Sequence, residues 1–156
     1  MIIRQAAPQD ADQMADLLNQ IIAIGGTTAH QHPLPAETAR QHYITGPDVI
    51  SSVVAEEEGQ VIGWQSVGHW QGDAHIGTFV RVGVQAKGTG GALFAITLGM
   101  LRQAGARSII ASIRADNVPG LRYYARLGFV DFAADSDFAL ESGQVVGRIH
   151  RRFDVV

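Results

Sequence analysis

The sequence predicts a single α/β domain with a mixed central sheet flanked by helices, and three observations carry that prediction. Stretches with the two-residue alternation of strands interchange with stretches whose apolar residues recur every three or four positions, as on one face of a helix. The 156 residues suffice for one sizeable hydrophobic core and are short for two. No internal repeat or linker-like segment interrupts the chain, so residues 1–156 are read as one domain.

Residues 2–4 form a short first strand. Pro8, Gln9 and Asp10 then resemble a helix start, and Met14, Leu17, Leu18 and Ile21 follow at helical spacing. Gly25-Gly26 stops this helix, and residues 27–33 form a loop. A second, shorter helix begins with Pro35 and ends near Tyr43. Two strands, 49–55 and 61–69, are joined by the polar turn Glu56-Glu57-Glu58-Gly59-Gln60. Residues 74–80 give another strand. From Ala92 the period lengthens, with Leu93, Ile96, Met100, Leu101 and Ala104 on one helical face that Gly105 ends. A strand over 108–113 precedes a short helix with Pro119 at its start and Gly128 at its close. Phe129 opens a further strand, and residues 145–155 complete a terminal hairpin.

Composition narrows the function. Apolar residues make up 46% of the chain and charged ones 17%, the profile of a folded protein. There is no cysteine, which removes disulfides, thiolate metal sites and a cysteine nucleophile. The formal charge of -3 argues against a nucleic-acid surface. Within Arg148-Ile149-His150-Arg151-Arg152, strand alternation divides the basic groups between two faces, which fits a solvated edge. No basic segment followed by an apolar run begins at Met1, and no apolar stretch is long enough to span a bilayer. The expected location is the cytoplasm, with no membrane partner. His30 and His32 have a spacing suited to metal ligation, but they are only two ligands with no evident third; no metal is expected.

The segment Val84-Gln85-Ala86-Lys87-Gly88-Thr89-Gly90-Gly91 lies between a strand and a helix. Glycines crowded at a helix start expose backbone N–H groups that suit a phosphate or pyrophosphate. The spacing is not that of a Walker A loop, and no Lys-Ser or Lys-Thr pair follows the last glycine. A dinucleotide fingerprint fits poorly too, because Ser108-Ile109-Ile110-Ala111 supplies no acidic ribose ligand.

With Gln85-Ala86-Lys87-Gly88-Thr89-Gly90, and with Asn117 followed by Tyr123-Tyr124-Ala125-Arg126-Leu127-Gly128-Phe129, the chain resembles the GCN5-related N-acetyltransferase (GNAT) family. The resemblance extends through the element order and implies the GNAT-like acyl-CoA N-acyltransferase fold. It implies direct acetyl transfer from acetyl-CoA to an amine. Gln85, Ala86, Lys87, Gly88, Thr89, Gly90 and Gly91 are then expected at the pyrophosphate, and Phe79, Val80 and Arg81 beside the pantetheine arm. A backbone N–H near Val80 is expected to face the carbonyl oxygen as it gains charge. Tyr124 matches the family's thiolate-facing tyrosine, the general acid, although an aromatic core role also fits it. Asn117 is assigned to the cofactor amide, to ordered water or to a helix cap, and Tyr123 to packing beside the cofactor arm or in the core. Gly120 stands where alanine or serine is common and is expected to loosen its helix. His75 occupies the region where the family often carries a glutamate base, and is the candidate base; water or a loop residue is the alternative.

For the acceptor, Ile24, Thr27, Thr28 and His30 are candidate contacts, joined by Trp64 and Trp70; both tryptophans equally suit anchoring of the sheet or of a dimer interface. Leu18-Asn19-Gln20-Ile21-Ile22 and Thr27-Thr28 before Pro33 resemble the phosphinothricin N-acetyltransferase-like branch. That resemblance implies a small amine such as an amino acid or analogue, while His30 and Gln31 replace the branch's usual aromatic and glutamate and speak against phosphinothricin itself. A homodimer is compatible with exposed terminal strands. A noncatalytic acyl-CoA-binding regulatory module is the competing reading. Gly90→Val is expected to weaken cofactor binding without global unfolding.

Overall fold

The computed structural model describes residues 1–84 and 88–156. Strands β1 (Ile2–Gln5), β2 (Val49–Glu57), β3 (Gln60–Trp70), β4 (Asp73–Val80), β5 (Ser108–Arg114), β6 (Val130–Asp135) and β7 (Arg148–Asp154) form one sheet. Its order is β1-β2-β3-β4-β5-β7-β6. Every neighbouring pair is antiparallel except β4 with β5, which run parallel. The helices are α1 (Ala11–Ile24), α2 (Ala36–Arg40), α3 (Thr89–Gln103) and α4 (Val118–Leu127). The mixed α/β fold expected from the sequence is the fold observed.

Apolar periodicity places α1 on one face of the sheet and α3 on the other. Met14, Leu17, Leu18 and Ile22 of α1 pack on Val54, Val61 and Trp64. On the opposite face Leu93 of α3 meets Val53, Ala55 and Ile62. Phe94, Leu101 and Tyr124 pack there with Val67, Ile76, Ile109, Ala111 and Ile113. Between Ala55 and Glu56 the β2–β3 register shifts at a bulge. The extra residue reverses the parity of β3, so Ile62 and Trp64 point to opposite faces although they are two apart.

The hairpin turns follow from local chemistry. Glu58 and Gly59 both have positive φ, 53° and 79°, the backbone of a tight turn whose twist suits its flanking strands. Before α1, a 3-10 turn over Pro8–Asp10 buries the carboxylate of Asp10. That carboxylate accepts hydrogen bonds from Arg4 Nη1 (2.8 Å) and Nη2 (2.9 Å) and from the Ala7 N–H (2.7 Å). The bonds join β1 to the start of α1.

Two helix boundaries depart from the sequence expectation. The α2 helix ends at Arg40 and continues as a π-helical turn over Gln41–Thr45. The α3 helix begins at Thr89, three residues before the expected Ala92, so Gly90 and Gly91 belong to its first turn. Glycine's low helix propensity conceals that start, which is instead set by packing. Thr89 is buried, and a Cβ placed on Gly63 of β3 lies 3.0 Å from its Cγ2. The bare backbone of Gly63 therefore allows the start of α3 to lie close to the sheet.

Two outcomes are expected. Trp64 is fully buried and donates its indole N–H to Met14 O at 3.1 Å, so Trp64→Ala should destabilise the fold by about 3–5 kcal/mol in urea unfolding. The hydrogen bonds from Arg4 hold Asp10 below its ordinary value of 3.8. A depressed carboxylate pKa stabilises above the unfolded value and loses that contribution as pH falls through the folded one. The stability gap between wild type and Asp10→Asn should be full at neutral pH and close below pH 3.8, measured by denaturation across pH.

Candidate active site

The site begins with an incomplete ladder. Among the described residues, the only register pair joining β4 to β5 is His75 with Ile110. On its other edge β4 stays paired with β3 from Asp73 to Val80, and the Arg81 N–H continues to Ile62 O at 2.8 Å. Antiparallel alternation then turns the peptide groups of Phe79 and Gly77 toward β3 and those of Thr78 and Val80 toward β5. No β5 partner meets Thr78 or Val80 among the described residues.

A cleft of about 800 Å³ opens at this divergence. Gly88, Gly90 and Gly91 of the α3 start line one end, and Thr78, Phe79, Val80, Asn117, Tyr123 and Tyr124 line its middle. Gly88 caps α3 with φ 72°, a left-handed conformation suited to glycine, and no side chain caps the helix. The first N–H groups of α3 thus have no intrahelical acceptor and lie at the cleft. The glycines differ in what they permit. A Cβ on Gly91 meets nothing within 4 Å, whereas one on Gly90 falls 2.6 Å from Tyr123 Cε1. Gly90→Val therefore strikes the tyrosine, which corrects its use as a clean probe of phosphate contact. Gln85, Ala86 and Lys87, expected in the same loop, lie outside the described residues.

A polar chain crosses the cleft wall within the core. Tyr124 Oη and Thr78 Oγ1 are 2.9 Å apart. Gln65 Nε2 donates to Thr78 Oγ1 (2.9 Å) and to Tyr123 Oη (3.0 Å), and Tyr123 in turn donates to Gly90 O at 2.7 Å. Burial raises both phenols: Tyr123 to about 12, and Tyr124 further, with the neighbouring Tyr123 adding to the effect. Both remain protonated across the physiological range. Tyr124 also packs against Phe129, so its core and cleft-facing roles coexist.

The other end of the cleft lies under the loop between α1 and α2. Ile24, Thr27, Thr28 and His30 all line it, beside Ser112, Arg114, Phe138 and Arg148. Asn117 caps α4 by accepting from the Gly120 N–H (3.0 Å), while its Nδ2 donates to Thr27 O (3.2 Å). Arg114 is buried, pairs with Asp116 through two nitrogens (2.9 and 2.7 Å), and donates to Thr28 O at 2.9 Å. His30 Nε2 lies 3.0 Å from Tyr43 Oη, and burial, then the nearby His42, lowers its pKa. At the tip of the loop the Gln31 amide bonds Ser142 both ways, through its Oγ (3.1 Å) and its N–H (2.7 Å). Gly120 is explained here. A Cβ at that position falls 2.4 Å from Asn117 Nδ2, so the glycine makes room for the cap instead of simply loosening the helix.

Four expected residues, Trp64, Trp70, Arg81 and His75, lie elsewhere. Trp64 has no exposed surface and anchors α1 to the sheet, which corrects its assignment to the acceptor pocket. Arg81 directs its guanidinium to Gln20 Oε1 (3.0 Å) and Val61 O (3.1 Å), away from the cleft. His75 sits at the closed end of the β4–β5 pair and packs edge-on against Trp70, their ring centroids 5.4 Å apart. Both line a second cleft, of about 850 Å³, which shares Ile76, Gly77 and Phe79 with the first. Burial lowers the His75 pKa against the raising effect of Asp73. Sequence reasoning missed Gln65, Thr78, Ser112, Arg114 and Arg148. Polar residues alternating with apolar ones in strands 61–69, 74–80 and 108–113 were the available signal for Gln65, Thr78 and Ser112.

Among the described residues no helix is long and apolar enough to cross a membrane, and no cluster of three or more His, Asp or Glu is placed to hold a metal ion. A split sheet with helix starts at its open end and a buried tyrosine in the gap defines the class of acyl-CoA-dependent N-acyltransferases. Residues 15–129 match the model of the Acetyltransferase (GNAT) family. The chain belongs to that family and is an acetyl-CoA-dependent N-acetyltransferase. It is 26% identical over 139 residues, 85% of each chain, to a Bacillus subtilis (strain 168) protein provisionally named phosphinothricin acetyltransferase YwnH. A GNAT superfamily phosphinothricin acetyltransferase from Sinorhizobium meliloti, solved in complex with AcCoA, superposes with a TM-score of 0.82 at 18% identity, covering 98% of this chain and 87% of that one. A GCN5-related N-acetyltransferase from Kribbella flavida also gives 0.82, at 21% identity and 98% and 96% coverage. At these identities the structural likeness is one of fold.

Gly120→Ala tests the cap. Displacing the Asn117 side chain should cost about 1 kcal/mol, which the better helix propensity of alanine offsets by about as much. Overall stability should change little while residues 25–33 become more open to limited proteolysis, the two measured on the same sample.

Proposed function

We propose that this N-acetyltransferase acts on the amine of a small molecule that also carries an anionic group, such as an amino acid or analogue. The observation that carries the reading is one continuous cleft with the first N–H groups of α3, which have no intrahelical acceptor, at one end and Arg114 and Arg148 at the other. Between these ends lies Tyr124. The provisional name of the Bacillus relative, a phosphinothricin acetyltransferase, supports the same substrate class.

Acetyl-CoA supplies an activated thioester carbonyl and a thiolate leaving group. Its amide-bearing arm suits the open edge of β4, where the peptide groups of Thr78 and Val80 offer the pairing that β5 withdraws. The α3 start receives the pyrophosphate at Gly88, Thr89, Gly90 and Gly91 through backbone N–H groups and the helix dipole. The Val80 N–H faces the opening and stabilises charge on the carbonyl oxygen. Tyr124 protonates the departing sulfur, its proton retained by burial and its hydroxyl oriented by Thr78. Asn117 holds the loop that covers the acetyl end, and Tyr123 braces the α3 start through Gly90 O.

On the acceptor side, Ile24, Thr27, Thr28 and His30 form the roof. The guanidinium of Arg148 stacks 4.1 Å from the centroid of Phe138, and Arg114 is fixed by Asp116. Two oriented cations at one end of a small cleft favour a carboxylate or a similar anion on the acceptor.

Purified protein should release CoA and form the acetylated product from amino acids, followed together by thiol release and product mass. Equal turnover of amines with and without an anionic group would overturn the substrate class. Tyr124→Phe should lower kcat about 10²-fold, within the range for loss of a general acid, with acetyl-CoA affinity unchanged in calorimetry. Parallel loss of both would assign Tyr124 to packing alone.

A further inference from the structure

The acceptor must lose a proton before its nitrogen can attack, and the geometry points to a base not evident in the sequence. We propose that Ser112, His150 and Asp135 form a proton relay in which Ser112 meets the acceptor nitrogen and His150 receives its proton. The proposal rests on the acyl-transfer reading of the cleft and extends it.

Three neighbouring strands assemble the relay. Ser112 of β5 and His150 of β7 are direct register partners, and Asp135 lies on the adjacent β6. Ser112 Oγ is 2.8 Å from His150 Nδ1, and His150 Nε2 is 2.8 Å from Asp135 Oδ2. Arg148 Nη2 donates to the same carboxylate oxygen at 3.0 Å. Ser112 is exposed and lines the cleft that holds Tyr124, whereas the His150 side chain is only 16% exposed. One group is placed to touch a ligand and the other is shielded behind it.

The tautomer follows from the partners. An ionised carboxylate only accepts, so Nε2 carries the ring hydrogen and Nδ1 is left as an acceptor for the Ser112 hydroxyl. The oxygen of Ser112 then presents lone pairs to the cleft. In the step, one N–H bond of the acceptor ammonium breaks and an O–H bond forms at Ser112, while the original hydroxyl proton bonds to Nδ1 of His150. The acceptor becomes a neutral amine and His150 an imidazolium held by Asp135. One proton moves, and no oxidant, reductant or further reactant is consumed.

Other charges bear on the same imidazole. Asp135 faces it from β6, beside the Phe132 ring at 6.2 Å. Arg148 lies two residues away on β7, and His75 on β4 interacts electrostatically with both His150 and Arg148. Asp135 is the acidic group facing the ring, and Arg148 and His75 are the basic groups near it. His75, the base expected from the sequence, lines the neighbouring cleft instead.

Two measurements on the intact protein test the relay. Long-range nitrogen–proton correlation spectroscopy should find His150 as the Nε2–H tautomer with bare Nδ1, and should find its Nδ1 signal shifted in Ser112→Ala. An Nδ1–H ring overturns the relay whatever the turnover. The second measurement is kcat/KM against pH for acetyl transfer to an amino acid. Ser112→Ala and His150→Gln should each lower it about 10²-fold, with acetyl-CoA affinity and melting temperature unchanged. Ser112→Thr, which keeps the hydroxyl, should recover most of the loss. Wild-type activity should fall as acid protonates His150, and this acidic limb should vanish in His150→Gln. Unchanged turnover in Ser112→Ala, a persistent limb in His150→Gln, or an equal loss in His75→Gln overturns the relay alone. Wild-type protein that acetylates no amine overturns the acceptor reading and the relay's task together.

Discussion

Strands β4 and β5 touch at one register pair and then part, and this divergence organises the rest of the molecule. A peptide group shielded from water needs a partner, at about 1–3 kcal/mol for each one left without. The β3 strand satisfies one edge of β4, and among the described residues no strand pairs the edge at Thr78 and Val80. The cleft therefore lies where that edge parts from β5. The connections enforce the same result, because α3 follows β4 and α4 follows β5. Both helix starts come to the mouth of the gap, where ligands of parallel strand pairs gather.

The gap separates two kinds of chemistry. On the side of α3 and α4, Gln65, Thr78 and two tyrosines form a buried polar chain ending on a carbonyl of the first turn of α3. Burial raises the cost of ionising those phenols and retains their protons. On the other side the polar groups belong to strands β5, β6 and β7 and to loops, and include arginines fixed by carboxylates. The buried phenols and the carboxylate-fixed arginines thus lie on opposite faces of one sheet. The α1–α2 loop spans both halves because Asn117 and Arg114 hold carbonyls of Thr27 and Thr28.

Much of this was legible in the sequence because it depends on local pattern. The seven strands and the two long helices follow from periodicity, and the Asn117 cap, one of the roles open to it, from the proline two residues on. What stayed hidden depends on register and packing. A bulge sets which face Trp64 takes, and it leaves no signature at that residue. Ser112 and His150 are 38 residues apart in sequence and meet only because β7 inserts between β5 and β6. The start of α3 was misplaced because two glycines score poorly as helix, while Tyr123 needs one of them bare.

Gly63 illustrates how far an influence on ligand affinity can lie from the ligand. It lines neither cleft, yet its missing side chain lets Thr89 settle against β3 and sets the height of the first turn of α3 above the sheet. That height fixes how far the N–H groups of the turn stand from the opening at Val80, the register partner of Gly63. One buried strand position thus works as a spacer between the start of α3 and the open edge of β4. Its size is a means of tuning their separation without altering any group that lines the cleft.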